Sequence, residues 1–172
     1  MIFVKVCGIT SPADASIIVH AGADAVGLNL FKGPRGITPS TADAILSALP
    51  PGFAAWVLVD VSGGDLPTHV GDLLQRHGVR RVQMYGAVTP QTVRRLRDQA
   101  YEPVWVVHVA DREFAPRASE FLDACGDARP ACVLLDAADA TLEGGTGRRV
   151  DWDMIRDVRR SSRFDGWPPI LL

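Results

Sequence analysis

The sequence predicts a parallel α/β fold, and three observations predict it. Short apolar runs recur at a regular pitch, amphipathic segments separate them, and the helix starts repeat one signal, a capping hydroxyl followed by proline. The runs at 2–6, 25–30, 54–59, 81–84, 104–109, 131–135 and 169–172 each read as a strand. Several are nearly continuous in Val, Leu and Ile, as strands buried on both faces of a parallel sheet are.

The helices follow from the segments between. Ser11-Pro12, Thr38-Pro39 and Thr89-Pro90 each put a side-chain acceptor at the N-cap and a proline at the first helical position. Ser11 with Asp14 has the spacing of a capping box. The segment after Thr38 sets Ala42, Ile45, Leu46 and Leu49 on one face, the spacing of a packed helix. Gly22 and Gly78 fall at helix ends, where a left-handed residue is needed. The result is a βα unit repeated six times with a seventh strand at the end, either doubly wound or closed as a barrel. Periodicity alone leaves both open.

Bulk properties narrow the function classes. With 172 residues, 47% of them apolar and 22% charged, the chain is the size of one domain and too apolar for disorder. A net charge of −2 offers no basic face for nucleic acid and no polybasic segment for a membrane. No apolar run approaches the roughly 18 residues of a membrane helix, and residues 1–6 do not form a signal peptide. Cys7, Cys125 and Cys132 are odd in number and contain no CxxC pair, which argues against a disulfide framework and against zinc, and fits a reducing cytoplasm. The chain stops at Pro168-Pro169-Ile170-Leu171-Leu172, inside an apolar strand that needs partners. The expectation is therefore a truncated sequence.

The site of a parallel α/β protein lies at the carboxyl ends of its strands. Cys7 ends the first strand and precedes Gly8; Asp136 ends the sixth; Arg35 lies in the loop Phe31-Lys32-Gly33-Pro34-Arg35-Gly36 after the second. Together they offer a base, an acid and an anion clamp. Each also has a plainer reading: Cys7 as a small buried hydrophobe, Asp136 as a turn former or cap, Arg35 as a solvated loop residue. The stretch after Asp136 adds weight. Fourteen residues from Ala137 to Val150 contain Gly144-Gly145-Thr146-Gly147 before Asp151 caps the next helix. Connections of that length are commonly binding loops, and glycines there let backbone N–H groups approach a ligand.

These segments resemble one family. Lys5-Val6-Cys7-Gly8-Ile9-Thr10 is similar to the opening motif of phosphoribosylanthranilate isomerases. The second-strand segment Ala21-Gly22-Ala23-Asp24-Ala25-Val26-Gly27-Leu28-Asn29, the arginine loop Gly33-Pro34-Arg35 and the fourth-strand segment Val82-Gln83-Met84-Tyr85-Gly86 resemble theirs. So do Leu134-Leu135-Asp136-Ala137, Gly144-Gly145-Thr146-Gly147 and Asp151-Trp152, in order and spacing.

The resemblance implies an incomplete (β/α)8 TIM barrel spanning 1–172 as a single domain, with about six βα units and the start of a seventh strand. It implies an Amadori-type isomerisation of N-(5-phosphoribosyl)anthranilate to 1-(2-carboxyphenylamino)-1-deoxyribulose 5-phosphate, without metal or redox cofactor. Asp136 would be the general acid on the ribose ring oxygen, Cys7 the general base at C2, and Arg35 the holder of the anthranilate carboxylate. Gln83 and Gly144, Gly145, Thr146 and Gly147 would contact substrate. A thiol, ordinarily titrating near about 8.5, needs local help to act as a base, and a carboxyl, ordinarily near about 3.9, must be kept protonated to act as an acid. The implied partner is a phosphorylated small molecule, with neither nucleic acid nor membrane, in a monomer or homodimer.

The chain departs from the family pattern in three places. Tyr85 stands where a histidine is usual, and Gly33 stands where a serine usually precedes Pro34-Arg35, in a loop shorter than the common form. The turns after strands seven and eight, which hold the phosphate in this family, are not in the sequence. Two alternatives accompany the reading: a non-catalytic barrel domain binding a partner or an anionic metabolite, and another phosphosugar barrel enzyme. His108 at the end of the fifth strand reads as a rim or structural histidine, His20, His69 and His77 as surface residues, and Trp105 and Trp152 as packing aromatics.

Overall fold

Three helices begin where the capping signals put them. In α1 (Pro12–His20), α2 (Pro39–Ala48) and α4 (Pro90–Asp98) the hydroxyls of Ser11, Thr38 and Thr89 accept from the N–H groups of Asp14, Thr41 and Thr92, and proline follows each cap. The Ser11 box is half formed, since the Asp14 carboxylate takes the Thr10 hydroxyl at 3.3 Å. Gly22 and Gly78, just past α1 and α3 (Thr68–Arg76), have φ of +81° and +64°. Asp151 caps α6 (Trp152–Arg160) by accepting from the N–H groups of Asp153 and Met154. The remaining helix is α5 (Phe114–Cys125).

The computed structural model describes residues 2–137, 150–161 and 163–172, which divide into two compact units, Met1–Ala87 and Val88–Leu172. In the first, β1 (Lys5–Cys7), β2 (Ala25–Asn29), β3 (Ala54–Asp60) and β4 (Arg81–Tyr85) pair in chain order, all parallel. In the second, β5 (Glu102–Val109), β6 (Cys132–Ala137) and β7 (Ile170–Leu171) do the same. A helix stands between each pair of consecutive strands, so the described chain is six βα units followed by a seventh strand.

The register sorts the side chains into two faces. In the first unit, Lys5↔Ala25, Cys7↔Gly27↔Trp56↔Arg81, Asn29↔Leu58↔Gln83 and Asp60↔Tyr85 lie on one face. Val6, Val26, Leu28, Val57, Val59, Val82 and Met84 lie on the other, because successive residues alternate. All of the latter set from Val26 onward are buried, and they form the face that helices cover. In the second unit, Val107, Val109, Val133 and Leu135 pack with Phe114, Ala115, Ala118 and Leu122 of α5 and with Met154, Ile155 and Val158 of α6. The opposite face carries Val106, His108, Leu134 and Asp136.

This differs from strands apolar on both faces, and it explains where the strand boundaries moved. β3, β4 and β6 run past their apolar stretches to include Asp60, Tyr85 and Asp136, which remain on the ladder although polar. The first strand is shorter and later than the run 2–6. Ile2, Phe3 and Val4 are 84%, 46% and 47% exposed, and pairing with β2 starts at Lys5. Trp105 packs as expected, stacked on Phe121 at 3.9 Å. Trp152 does not: at the first position of α6 it is 51% exposed, because Met154, Ile155 and Val158 form the buried stripe of that helix. His77 is half-buried and bonded to Asp43 at 2.8 Å, whereas His20 and His69 are exposed.

Leu28 is fully buried on the helix face of β2. Leu28→Ala is expected to lower unfolding free energy by about 2–5 kcal/mol, measured by urea denaturation. A loss below about 1 kcal/mol would contradict the face assignment.

Candidate functional site

Each unit ends several of its strands on a residue that can do chemistry. In the first unit Cys7, Asn29, Asp60 and Tyr85 are the last residues of β1 to β4. The backbone around Cys7 is shaped by two glycines. Gly27 lies opposite it in register, and a Cβ there would stand 2.8 Å from Cys7 Sγ. The missing side chain is the space the thiol occupies. Gly8 follows with φ +81°, and its N–H donates to the Gly27 carbonyl at 2.8 Å.

Arg35 folds back over this turn. Its Nη1 donates to the Cys7 carbonyl at 2.9 Å, and a Cβ on Gly8 would meet its side chain at 2.7 Å. The loop that carries it is tied to β2: Phe31 N–H donates to Asn29 Oδ1 at 2.8 Å and Ile37 N–H to the Asn29 carbonyl at 2.8 Å. Cys7 and Arg35 are therefore neighbours. Arg35 is exposed, so guanidinium N–H groups beyond the one on Cys7 face solvent.

Gln83, expected to contact substrate, is 2% exposed. Its Oε1 accepts from Lys5 Nζ at 3.0 Å and its Nε2 donates to Tyr85 Oη at 2.9 Å. Both ends are thus engaged, and a buried amide demands that. Lys5 Nζ also lies 4.9 Å above the Trp56 ring. Tyr85, which occupies the position of the usual histidine, anchors Gln83 and stacks on Phe31 at 5.5 Å.

The sequence reading did not single out Lys5, Gly27, Asn29, Asp60 or Ser62. The signal was available in the alternation, since Lys5 and Cys7, Gly27 and Asn29, and Gln83 and Tyr85 are each two residues apart on one strand. Asp60 accepts from Ser62 N–H at 2.8 Å, while Ser62 Oγ accepts from Ala87 N–H at 3.1 Å. The Ser62 hydroxyl, its N–H and the charge of Lys32, against a smaller opposing effect of burial, hold the Asp60 carboxyl below its ordinary range.

In the second unit Asp136 is half-buried near the end of β6, with Oδ1 on the N–H of Ala137 at 2.9 Å. Its register partner is His108 of β5, which is exposed. Gly144, Gly145, Thr146 and Gly147 lie outside the described residues. Among the described residues there is no cluster of three or more His, Cys, Asp or Glu side chains able to hold a metal ion, and no helix is long and apolar enough to cross a membrane.

Residues 4–168 match the model of the N-(5'-phosphoribosyl)anthranilate isomerase family. The chain belongs to this family. It is 35% identical over 159 residues to the enzyme of that name from Trichlorobacter lovleyi, covering 92% of this chain and 71% of that protein. It is similar in structure to phosphoribosyl anthranilate isomerase from Thermotoga maritima, with TM-score 0.77, 26% identity, and coverage of 99% of this chain and 75% of that one. A second solved phosphoribosyl anthranilate isomerase, in complex with reduced 1-(o-carboxyphenylamino)-1-deoxyribulose 5-phosphate, matches with TM-score 0.67 and 27% identity over 81% of this chain and 66% of that one. The fold is thus that of the (β/α)8 barrels, of which the described residues carry six βα units and a seventh strand.

Two tests follow from the geometry. Gly27→Ala should displace the Cys7 thiol and slow its alkylation by iodoacetamide several-fold with the fold intact by circular dichroism; an unchanged rate would show that Gly27 does not shape this position. Ser62→Ala removes the hydroxyl, the larger of the two Ser62 donors that favour ionised Asp60, and keeps the N–H. Because the folded titration of Asp60 is depressed, its contribution is present at neutral pH and lost as pH falls through the acidic carboxylate range. The stability gap between parent and Ser62→Ala should therefore be open at pH 7 and close on acidification, read from thermal melts across pH. A gap independent of pH would refute it.

Proposed function

We propose that this chain isomerises N-(5-phosphoribosyl)anthranilate to 1-(2-carboxyphenylamino)-1-deoxyribulose 5-phosphate, a step of tryptophan biosynthesis. The reading rests on family membership together with the placement of Cys7 and Asp136 at the carboxyl ends of β1 and β6. Asp136 gives a proton to the ribose ring oxygen. The C1–O bond breaks with its electron pair going to oxygen, and the aniline nitrogen forms a protonated Schiff base at C1. Cys7, as thiolate, removes the proton from C2, and the electrons of that C–H bond form an enolamine. Protonation at C1 and loss of the C2 hydroxyl proton give the ketose. The residue types fit: a thiolate is a competent base once local groups favour it, and a carboxyl acts as an acid where its site keeps it protonated.

Arg35 has the free fork geometry to hold the anthranilate carboxylate beside Cys7. Gln83 serves the site through Lys5 and Tyr85, its two hydrogen-bond partners, and the glycine-rich loop 144–147 supplies backbone donors. In this reading residues 1–172 make up one barrel domain. We place the enzyme in the cytoplasm, as a monomer or homodimer; the free thiols Cys7, Cys125 and Cys132 accord with a reducing compartment.

The test is the isomerase assay, following loss of substrate fluorescence, on the parent beside Cys7→Ala and Asp136→Ala. Turnover is expected in the parent, with a loss of about 100-fold or more in each variant. Activity retained without Cys7 would favour another phosphosugar barrel enzyme, and absence of turnover in the parent would favour a non-catalytic binding domain.

A further inference from the structure

The loop that bears Arg35 is held at more points than its ends. Its neck is Asn29. Phe31 N–H donates to Asn29 Oδ1 and Ile37 N–H to the Asn29 carbonyl, each at 2.8 Å, and Gly36 forms an isolated parallel bridge to Asn29. The two limbs touch just beyond that neck, since a Cβ on Gly36 would stand 2.7 Å from the Phe31 carbonyl oxygen. Gly36 directly follows Arg35 in the chain. A shift of Phe31 is therefore passed across the loop to the backbone beside Arg35.

Phe31 in turn rests on β4. Its ring stacks on Tyr85 with centroids 5.5 Å apart and planes 12° from parallel, within the range of favourable aromatic pairs. Lys32 follows it, and its charge acts on the carboxylate of Asp60, the register partner of Tyr85. The loop thus leans on the ends of β3 and β4, while Arg35 Nη1 reaches the Cys7 carbonyl at the end of β1 at 2.9 Å. Tyr85 is itself held from behind: its Oη accepts from Gln83 Nε2 at 2.9 Å, and Gln83 Oε1 accepts from Lys5 at 3.0 Å.

We propose that Phe31 and Tyr85 are positioning residues for the carboxylate grip: the stacked pair sets where the Arg35 guanidinium stands beside Cys7. This rests on the isomerase reading, in which Arg35 holds the anthranilate carboxylate. Tyr85 is 7% exposed, too little to meet substrate, so it acts through Phe31. A docked loop has already given up the freedom that a loose one would lose on binding, which favours affinity. The carboxylate takes no part in the bond changes at C1 and C2 and is held equally before and during them. Loss of the grip's alignment therefore raises KM and spares kcat. A tyrosine serves here where the family usually has histidine: the phenol accepts from Gln83 while the ring keeps a face for Phe31.

Two measurements test it. In the full chain, amide hydrogen exchange at Gly36 and Ile37 should quicken about threefold to tenfold in Phe31→Leu, the effect of losing one aromatic pair. The amides of Leu30 and Val61, which donate to the Leu58 and Tyr85 carbonyls, should hold. Tyr85→Leu should match Phe31→Leu, and Tyr85→Phe, which keeps the ring, should leave Gly36 and Ile37 protected. Unmoved Gly36 and Ile37 amides in Phe31→Leu overturn the tether. In the isomerase assay, Phe31→Leu should raise KM about threefold to tenfold with kcat changed by less than about twofold, and Tyr85→Phe should keep the parent KM. In an Arg35→Ala background, Phe31→Leu should add nothing to KM, because the pair acts through Arg35. A fall in kcat with KM unmoved, or a full KM effect without Arg35, overturns the positioning role. If the parent shows no turnover, the isomerase reading fails and the exchange rates still judge the tether.

Discussion

A parallel ladder fixes the register of each strand against its neighbour, and with a side-chain repeat of two, register decides the face of every residue. In both units this one constraint separates two jobs. Val26, Leu28, Val57, Val59, Val82 and Met84 in the first, and Val107, Val109, Val133 and Leu135 in the second, are all buried on the helix face. A slip of one residue would turn Lys5, Cys7, Gln83 and Tyr85, or His108 and Asp136, toward the helices and expose the valines. Each buried aliphatic side chain is worth about 1.5–3 kcal/mol, so the apolar face resists the slip. The chemistry-bearing residues inherit their positions from that resistance.

The polar face carries a burden of its own, since each buried polar atom needs a partner. Gln83 meets it with Lys5 on one side and Tyr85 on the other, and Lys5 lays its charge against the Trp56 ring. These contacts run across β1, β3 and β4, so Tyr85 in place of the usual histidine is built into the support of that face. Its phenol reaches Gln83, and its ring covers Phe31 of the loop that bears Arg35. At the end of β1 the solution is the reverse: a side chain is deleted at Gly27 so that the Cys7 thiol has room.

The fold was legible where the sequence carries local signals. Hydroxyl-proline caps, terminal glycines and apolar runs put the helices and strands of the described residues in the right order, because capping and burial act over a few residues. The motifs around Cys7, Arg35 and Asp136 named the family. What escaped was set by partners distant in sequence. The run 2–6 looks as much like a strand as any other, yet β1 begins only where β2 offers a register at Lys5↔Ala25. Asp60, Tyr85 and Asp136 looked like the ends of strands or the residues past them because they are polar, while the ladder continues through all three. Nothing local shows that Lys5, 78 residues away, donates to the Gln83 amide oxygen. Trp152 read as core because the burial stripe of α6 depends on which face meets the sheet.

Placing Asp136 on the ladder, one residue before its end, has a chemical consequence. A group on a strand has its backbone fixed by pairing, as Asp136 does through β5, whereas a group on a loop must be held by separate contacts, as Arg35 is by the Cys7 carbonyl and the Asn29 turn. Proton transfer depends on donor and acceptor staying within hydrogen-bond reach, and binding tolerates more movement. The division found here follows that difference. Cys7 and Asp136, proposed to move protons, sit on strands; Arg35, proposed to grip a carboxylate, sits on a loop.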